Sequence, residues 1–178
     1  MKKVKILDKE FKMAISSATI KRAIEEVATK INNDYFDEEI LFLSILNGSF
    51  MFTSDLVKRI KPLCQVSFVK LSSYAGESST GIFKELIGLN ENIEGRKVIV
   101  IEDIVDTGAT IETIVKQLKV MKPDSVKVAT LLFKPQSYQE NLMIDYIGLE
   151  MPEDFLIGYG LDYNGYGRNF EDIYSLIK

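Results

Sequence analysis

The chain has 178 residues, a length typical of one domain with a continuous hydrophobic core. Its 22 basic and 26 acidic residues give a net charge of −4, so neither nucleic acid nor an anionic membrane is expected as a partner. Histidine is absent and Cys64 is the only cysteine, which excludes histidine-based triads, histidine-bound zinc and an internal disulfide. The first residues lack the apolar core of a signal peptide, and we expect a cytoplasmic protein.

The first part of the chain predicts a helix, a buried strand and a second helix. From Ser17, apolar residues recur at helical spacing until Asn32-Asn33. The short apolar run from Ile40 to Leu46 predicts a strand that is buried on both faces. The turn Asn47-Gly48 then leads into a helix that Ser49 can cap.

The middle of the chain predicts three strands and a third helix. Residues 66–71 mark a strand, and Ser72 to Gly81 has the small, polar composition of a long loop. Further strands are predicted at Ile82–Leu89 and Lys97–Ile101. Apolar residues then recur at helical spacing from Ala109 to Leu118.

Two more strands, Val126–Phe133 and Tyr146–Leu149, complete an alternation of strands with amphipathic helices. This alternation predicts an α/β fold with a mostly parallel sheet covered by helices on both faces. In such folds ligands bind beyond the carboxyl ends of the strands, where Asn47-Gly48, Glu102 to Thr110 and Lys134 all fall.

The end of the chain is rich in Tyr and Gly from Phe155 onward and does not continue this alternation. We expect residues 1–178 to form a single domain, in which residues 1–15 and 150–178 contribute a small hood over the ligand edge of the sheet.

The stretch from Val98 to Thr110 carries the main functional pattern. A buried strand and two acids are followed by Asp106-Thr107-Gly108, residue types that turns and helix starts favour. Backbone N–H groups of such a turn, and the helix N-terminus behind it, can bind a phosphate monoester at Asp106 to Thr110, where Thr107 and Thr110 add hydroxyl donors. The patterns of the nucleoside-triphosphate loop and of the dinucleotide fingerprint are both missing.

Three carboxylates lie in this stretch. Glu102 and Asp103 can accept both hydroxyls of a ribose diol, or hold a divalent cation that bridges to diphosphate. A general base has to be a carboxylate, Lys, Tyr, Cys64 or a terminal amine, and Asp106 is placed to take a proton from an incoming base. The alternative is an ordinary acidic junction between a strand and a helix, which accounts poorly for two acids directly after four apolar residues.

The whole stretch resembles the phosphoribosyl-diphosphate motif of type I phosphoribosyltransferases, and further segments are similar to the hypoxanthine-guanine members of that family over almost the entire chain. The resemblance implies purine salvage, in which the 5-phosphoribosyl group of phosphoribosyl diphosphate is transferred to N9 of a 6-oxopurine. Hypoxanthine or guanine would give IMP or GMP and diphosphate, with Mg²⁺ as cofactor. A homodimer or homotetramer is expected on the same ground.

The resemblance also implies roles for residues outside the motif. Asn47-Gly48 is similar to the diphosphate-binding turn of the family, and Arg168 is a further candidate contact of the diphosphate. Ser73-Tyr74 resembles the start of the mobile loop that closes over the reacting centre. Two positions depart from the family: Asn47 stands where mammalian members have lysine, and Ala109 where some relatives have lysine. We therefore expect Asn47 and Ala109 to change the affinity for diphosphate.

The purine site implied by the resemblance consists of Lys134, Phe155, Leu156 and Asp162. The Lys134 ammonium has only donors and suits the carbonyl oxygen of a 6-oxopurine, whereas the adenine amino group opposes it. Phe155 offers a flat face for stacking, and Asp162 is also a candidate ligand of a second Mg²⁺. Without the resemblance, Lys134 would be interpreted as a solvated lysine, Phe155 as a core aromatic side chain and Asp162 as a surface charge.

Three alternatives remain open at this point. The chain can be a regulator of the same fold that binds RNA or a repressor partner, although its net charge disfavours RNA. It can transfer phosphoribose to xanthine or to another base such as adenine, uracil or orotate, although Lys134 with Phe155 favours an oxopurine. A flavodoxin-like or receiver module needs an acidic pocket but has no use for Thr107 and Thr110 together.

Overall fold

The computed structural model describes residues 2–75 and 82–177, with residues 72–75 and 82–87 described by their backbone alone. The elements run in the order β1 (Lys3–Ile6), β2 (Lys9–Ile15), α1 (Ser17–Asp34), β3 (Ile40–Ile45), α2 (Phe50–Val57), β4 (Cys64–Ala75), β5 (Ile82–Ile87), β6 (Lys97–Val105), α3 (Ala109–Val120), β7 (Ser125–Phe133), β8 (Tyr146–Glu150), β9 (Leu156–Ile157) and β10 (Ile173–Leu176).

A six-stranded sheet in the order β5-β4-β3-β6-β7-β8 forms the centre of the molecule. Strands β4, β3, β6, β7 and β8 pair in parallel, and β5 pairs with β4 in antiparallel orientation. The prediction of an α/β fold with a mostly parallel sheet is therefore confirmed. The antiparallel edge was not predicted, because the apolar pattern of a strand does not encode its direction relative to a neighbour.

Helices cover both faces of this sheet, as the sequence predicted. Apolar residues of α1 and α2 form one core cluster with one face of the sheet, and apolar residues of α3 form a second cluster with the other. Every residue of β3 is buried, because this strand lies between both clusters. The Ser16 hydroxyl accepts a hydrogen bond from the Thr19 amide at 3.3 Å and caps the start of α1.

Two predicted boundaries around the strands were wrong. The predicted loop from Ser72 overlaps β4, which continues to Ala75 and pairs with β5 through Ser72↔Glu85 and Ala75↔Ile82. Residues 76–81 of that predicted loop lie outside the described residues. A partner strand supplies hydrogen bonds to backbone groups regardless of side-chain polarity, so a polar segment can extend a strand.

Strand β6 likewise continues beyond its apolar run, to Val105. Glu102 and Asp103, which were predicted to lie beyond the end of this strand, thus lie within it, because β7 continues the pairing through Glu102↔Thr130 and Ile104↔Leu132. Only the three residues from Asp106 to Gly108 separate β6 from α3.

Ser49 does not cap α2 as predicted. Its own backbone is already helical, and its hydroxyl donates to the Ile45 carbonyl and lies 2.7 Å from the Ser44 hydroxyl. The Ser49 side chain therefore holds the turn after β3 against the end of that strand. The first amides of α2 are left without a side-chain cap.

A second sheet is built from both ends of the chain, in the antiparallel order β1-β2-β10-β9. Its small core contains Phe11, Ile157 and Tyr174. These strands fall within residues 1–15 and 150–178, and the division into one domain with a hood subdomain stays a prediction. In the part of the chain that the structure describes, no helix has the length and apolarity to cross a membrane.

Candidate active site

Three chain segments meet at the carboxyl edge of the central sheet. The turn containing Asn47-Gly48 follows β3, the segment from Asp106 to Thr110 follows β6, and Lys134 follows β7. The Lys134 amide donates to the Val105 carbonyl at 3.0 Å, which holds the ends of β6 and β7 together. Parallel pairing thus brings residues that are distant in sequence to one edge.

The turn from Asp106 to Thr110 ends at the N-terminus of α3. Gly108 has a φ of 91°, and a β-carbon at this position would also overlap the Tyr138 ring. Thr107, Ala109 and Thr110 are exposed, and the first amides of the helix have no acceptor within the helix. An exposed set of N–H donors at the positive end of a helix dipole suits a phosphate group.

Asp106 and Lys134 form an ion pair, with 2.8 Å between Nζ and Oδ2. The Lys134 side chain is 11% exposed and that of Asp106 is 48% exposed, so the aspartate is the more accessible partner. The ammonium of Lys134 holds the pKa of Asp106 below its ordinary value. Sequence reasoning proposed both residues separately but did not predict their contact.

Glu102 and Asp103 are both buried, with exposed fractions of 7% and 9%. The Asp103 amide donates to Glu102 Oε1 at 3.2 Å, and the Ile104 amide donates to Asp103 Oδ1 at 2.8 Å. Burial, with the neighbouring Asp103 carboxylate, raises the pKa of Glu102 well above its ordinary value. Neither carboxylate has a salt bridge within the described part of the chain, so the pair lacks a compensating cation.

The turn after β3 is packed between Asp103 and the segment around Gly160. The Leu46-Asn47 peptide bond is cis, and a β-carbon on Gly48 would overlap Asp103 Oδ2. On the other side, Gly160 has a φ of 99°, and a β-carbon there would overlap the Gly48 carbonyl oxygen. Sequence reasoning missed Gly160, because a glycine-rich segment indicates turns but not the partner that the backbone approaches.

We predict that Gly160→Ala is more destabilising than Gly165→Ala. Both positions have a positive φ, but a β-carbon on Gly165 would have nothing within 4 Å. Gly165→Ala should lower the free energy of unfolding by about 1–2 kcal/mol through backbone strain alone. Gly160→Ala should cost about 3 kcal/mol or more, since it adds a clash between the hood and the turn after β3. Denaturant unfolding of both variants measures the difference, and equal losses would contradict this packing.

Asp162 and Arg168 are brought together in the segment between β9 and β10. Arg168 Nη2 lies 2.6 Å from Asp162 Oδ1, and Arg168 Nη1 donates to the Gly160 carbonyl at 2.6 Å. The Gly165 amide donates to the other oxygen of Asp162 at 2.6 Å. A metal ion on Asp162 or a diphosphate on Arg168 would therefore share the side chain with these contacts or replace one of them.

The remaining predicted residues differ in their exposure. Phe155 is 45% exposed and Leu156 is buried. Asn47 is exposed in the turn after β3, and Ser73-Tyr74 lie in the last part of β4, where only the backbone is described. A cleft of about 410 Å³ lies away from these residues and is lined by residues that include Phe36 and Leu63. Cleft volume alone would thus not identify the candidate site.

Comparison with known proteins agrees with this geometry. Residues 16–164 match the family model described as the phosphoribosyl transferase domain. The chain is 36% identical over 173 residues to hypoxanthine-guanine phosphoribosyltransferase of Aquifex aeolicus, covering 96% of this chain and 97% of the relative. It is 35% identical over 159 residues to the Bacillus subtilis enzyme of the same name, covering 89% of this chain and 88% of that relative.

Solved structures give the same result. A hypoxanthine-guanine phosphoribosyltransferase from Bacillus anthracis has a TM-score of 0.86 at 34% identity, covering 93% of this chain and 98% of that one. The hypoxanthine phosphoribosyl transferase of Trypanosoma cruzi has a TM-score of 0.85 at 30% identity, with 98% and 95% covered. The chain thus has the type I phosphoribosyltransferase fold and belongs to the hypoxanthine-guanine phosphoribosyltransferase family.

Proposed function

We propose that this chain transfers the 5-phosphoribosyl group of phosphoribosyl diphosphate to N9 of hypoxanthine or guanine, in purine salvage. The contact between Lys134 and Asp106 is the observation that carries the proposal. A donor for a carbonyl oxygen lies beside an acceptor for a ring N–H, which suits the neighbouring O6 and N7 of a 6-oxopurine. The names of the relatives from Aquifex aeolicus and Bacillus subtilis support the same substrates.

In this proposal the turn from Asp106 to Thr110 binds the 5-phosphate of the donor. Its exposed amides and hydroxyls at the start of α3 provide several hydrogen bonds without a lysine. Glu102 and Asp103 accept hydrogen bonds from the two ribose hydroxyls. Gly48, Asn47 and Arg168 are the proposed contacts of the diphosphate.

Mg²⁺ is the proposed cofactor, and the buried pair of Glu102 and Asp103 fits it. The two carboxylates crowd each other without a cationic partner in the described residues, and phosphate oxygens of the donor would complete the ligand set that Mg²⁺ prefers. No cluster of three or more metal-binding side chains occurs among the described residues, so the proposed ion depends on substrate oxygens. When bound, Mg²⁺ would neutralise charge on the diphosphate. Asp162, the proposed ligand of a second ion, is paired with Arg168, so that ion would compete with the guanidinium for the carboxylate.

The proposed reaction breaks the bond between the anomeric carbon and the diphosphate oxygen, and the electron pair leaves with diphosphate. Positive charge develops on the sugar. The carboxylates of Glu102 and Asp103 would stabilise it in their ionised form, which a bound cation would favour despite the burial that raises the pKa of Glu102. N9 of the purine forms the new bond while the N7 proton moves to Asp106. An aspartate is ionised at neutral pH, and the Lys134 ammonium favours this form further by lowering the pKa of Asp106, so the carboxylate is able to accept the proton.

Further parts of the site have proposed roles. Phe155 would stack on the purine, Leu156 would line its pocket, and Lys134 would donate to its O6. Ser73-Tyr74 would begin a segment that excludes water from the reacting carbon, although residues 76–81 lie outside the described residues.

A homodimer or homotetramer is also proposed, as is a cytoplasmic location, which suits the single free thiol of Cys64. In the Trypanosoma cruzi relative, the C-terminal region has a role in the oligomeric state and the enzymatic activity. The corresponding end of this chain contributes β10 to the proposed hood.

Steady-state kinetics with four bases tests the proposal. The enzyme, phosphoribosyl diphosphate and Mg²⁺ are mixed with hypoxanthine, guanine, xanthine or adenine, and diphosphate release is measured. We expect turnover with hypoxanthine or guanine, and a kcat/KM for adenine that is lower by on the order of 10⁴-fold, since two donors would face each other. Turnover with adenine alone, or with none of the four bases, would contradict the proposed function.

A further inference from the structure

The hairpin of β1 and β2 contacts an aromatic pair in the hood. Lys9, the first residue of β2, holds its ammonium 4.6 Å from the ring centre of Tyr163 and 5.7 Å from that of Phe155. The neighbouring Asp8 accepts a hydrogen bond from the Tyr163 hydroxyl at 3.0 Å. Two consecutive hairpin residues therefore contact this pair, although about 150 residues of sequence separate them from it.

The rings themselves have a defined arrangement. Phe155 and Tyr163 lie 5.9 Å apart at an interplanar angle of 88°, which is an edge-to-face contact. Phe11 of β2 lies 6.3 Å from each of them. Phe155 nevertheless remains 45% exposed, so a large part of its surface is available to a ligand.

We propose that Lys9 is a positioning residue for the purine, because it fixes the Tyr163–Phe155 pair in the orientation in which Phe155 stacks on the base. The inference rests on the proposed function and makes the N-terminal hairpin part of the purine pocket. Both ammonium-to-ring distances are within the range of cation–π attraction. Lys9 is half-buried, so water screens this attraction less than it would for a fully exposed lysine.

A ring held in its stacking orientation does not have to be ordered when the base binds. The resulting gain applies equally to the bound base and to the transition state, and it therefore appears in the purine KM and not in kcat. Phosphoribosyl diphosphate is bound by other segments, namely Asp106 to Thr110 and the turn after β3, so its KM should not respond to Lys9.

Lys9→Met tests the inference, with Lys9→Arg and Lys5→Met as matched variants. Lys5 lies on the same hairpin and has the same charge but is exposed and makes no ring contact in the described structure. We expect Lys9→Met to raise the KM for hypoxanthine about two- to fivefold, with unchanged kcat and unchanged KM for phosphoribosyl diphosphate. IMP affinity, measured by titration calorimetry, should fall by the same factor. Lys9→Arg should keep the KM for hypoxanthine and the IMP affinity at their wild-type values, and Lys5→Met should behave like the wild type.

A purely structural role would give other results. An unchanged hypoxanthine KM in Lys9→Met, an equal rise in Lys5→Met, or a parallel loss for both substrates would overturn the inference. Thermal unfolding of each variant is recorded, and Lys9→Gln replaces Lys9→Met if the latter does not fold. Failure of the proposed function is distinguishable, since the wild-type protein would then form no IMP from hypoxanthine at all.

Discussion

We expect Asp106→Asn to lower kcat by on the order of 100-fold and to leave the KM for phosphoribosyl diphosphate nearly unchanged. The amide of asparagine has almost the shape of the carboxylate but cannot accept the N7 proton of the purine. In the proposed function the donor phosphate is bound by amides and hydroxyls of the same turn, which this substitution retains. Steady-state kinetics with both substrates varied measures the two effects separately.

Asp37→Asn is the control for this variant. Asp37 is exposed and borders the cleft of Phe36 and Leu63, away from the group around Lys134, so its change of charge should leave kcat unaltered. Near-normal turnover in Asp106→Asn would remove Asp106 from the role of general base. A large rise in the KM for phosphoribosyl diphosphate would instead assign Asp106 to donor binding.

The apolar pattern predicted the scaffold well because burial is a local property of helices and of strands covered on both faces. The predicted inward residues of α1 are the buried ones, and the run from Ile40 forms β3 with every residue buried. The pattern failed where pairing with a neighbouring strand decided the structure. Strand β4 extends through polar residues to Ala75, and β6 includes the acids Glu102 and Asp103.

The same distinction applies to the candidate site. Lys134 and the turn at Asp106 could be placed at one edge from the sequence, because both follow predicted parallel strands. Their ion pair could not be predicted, since it depends on the alignment of β6 with β7 and on side-chain conformation. The approach of Gly160 to Gly48 and the contacts of Lys9 join distant segments, and no local pattern signals either of them.

Lys134→Met should lower kcat/KM for hypoxanthine by on the order of 100-fold, because a hydrogen bond from a charged donor to the purine carbonyl is lost. Activity with adenine should stay the same or rise, since the donor that opposes the adenine amino group is removed. The ratio of kcat/KM for hypoxanthine to kcat/KM for adenine should therefore fall. Methionine keeps the length of the side chain at a position that is 11% exposed, so the variant should fold.

The pH dependence of kcat/KM provides an independent test of the ion pair. In the wild type the Lys134 ammonium favours the ionised form of Asp106 and lowers its pKa, so the base is active above that lowered pKa and is lost as the pH falls through it. Without the ammonium the pKa of Asp106 rises, so the acid limb of the profile should move to higher pH in Lys134→Met. Lys134→Arg keeps the charge and should keep the acid limb in place. An acid limb that stays unmoved in Lys134→Met, or moves equally in both variants, would show that Lys134 does not set the basicity of Asp106.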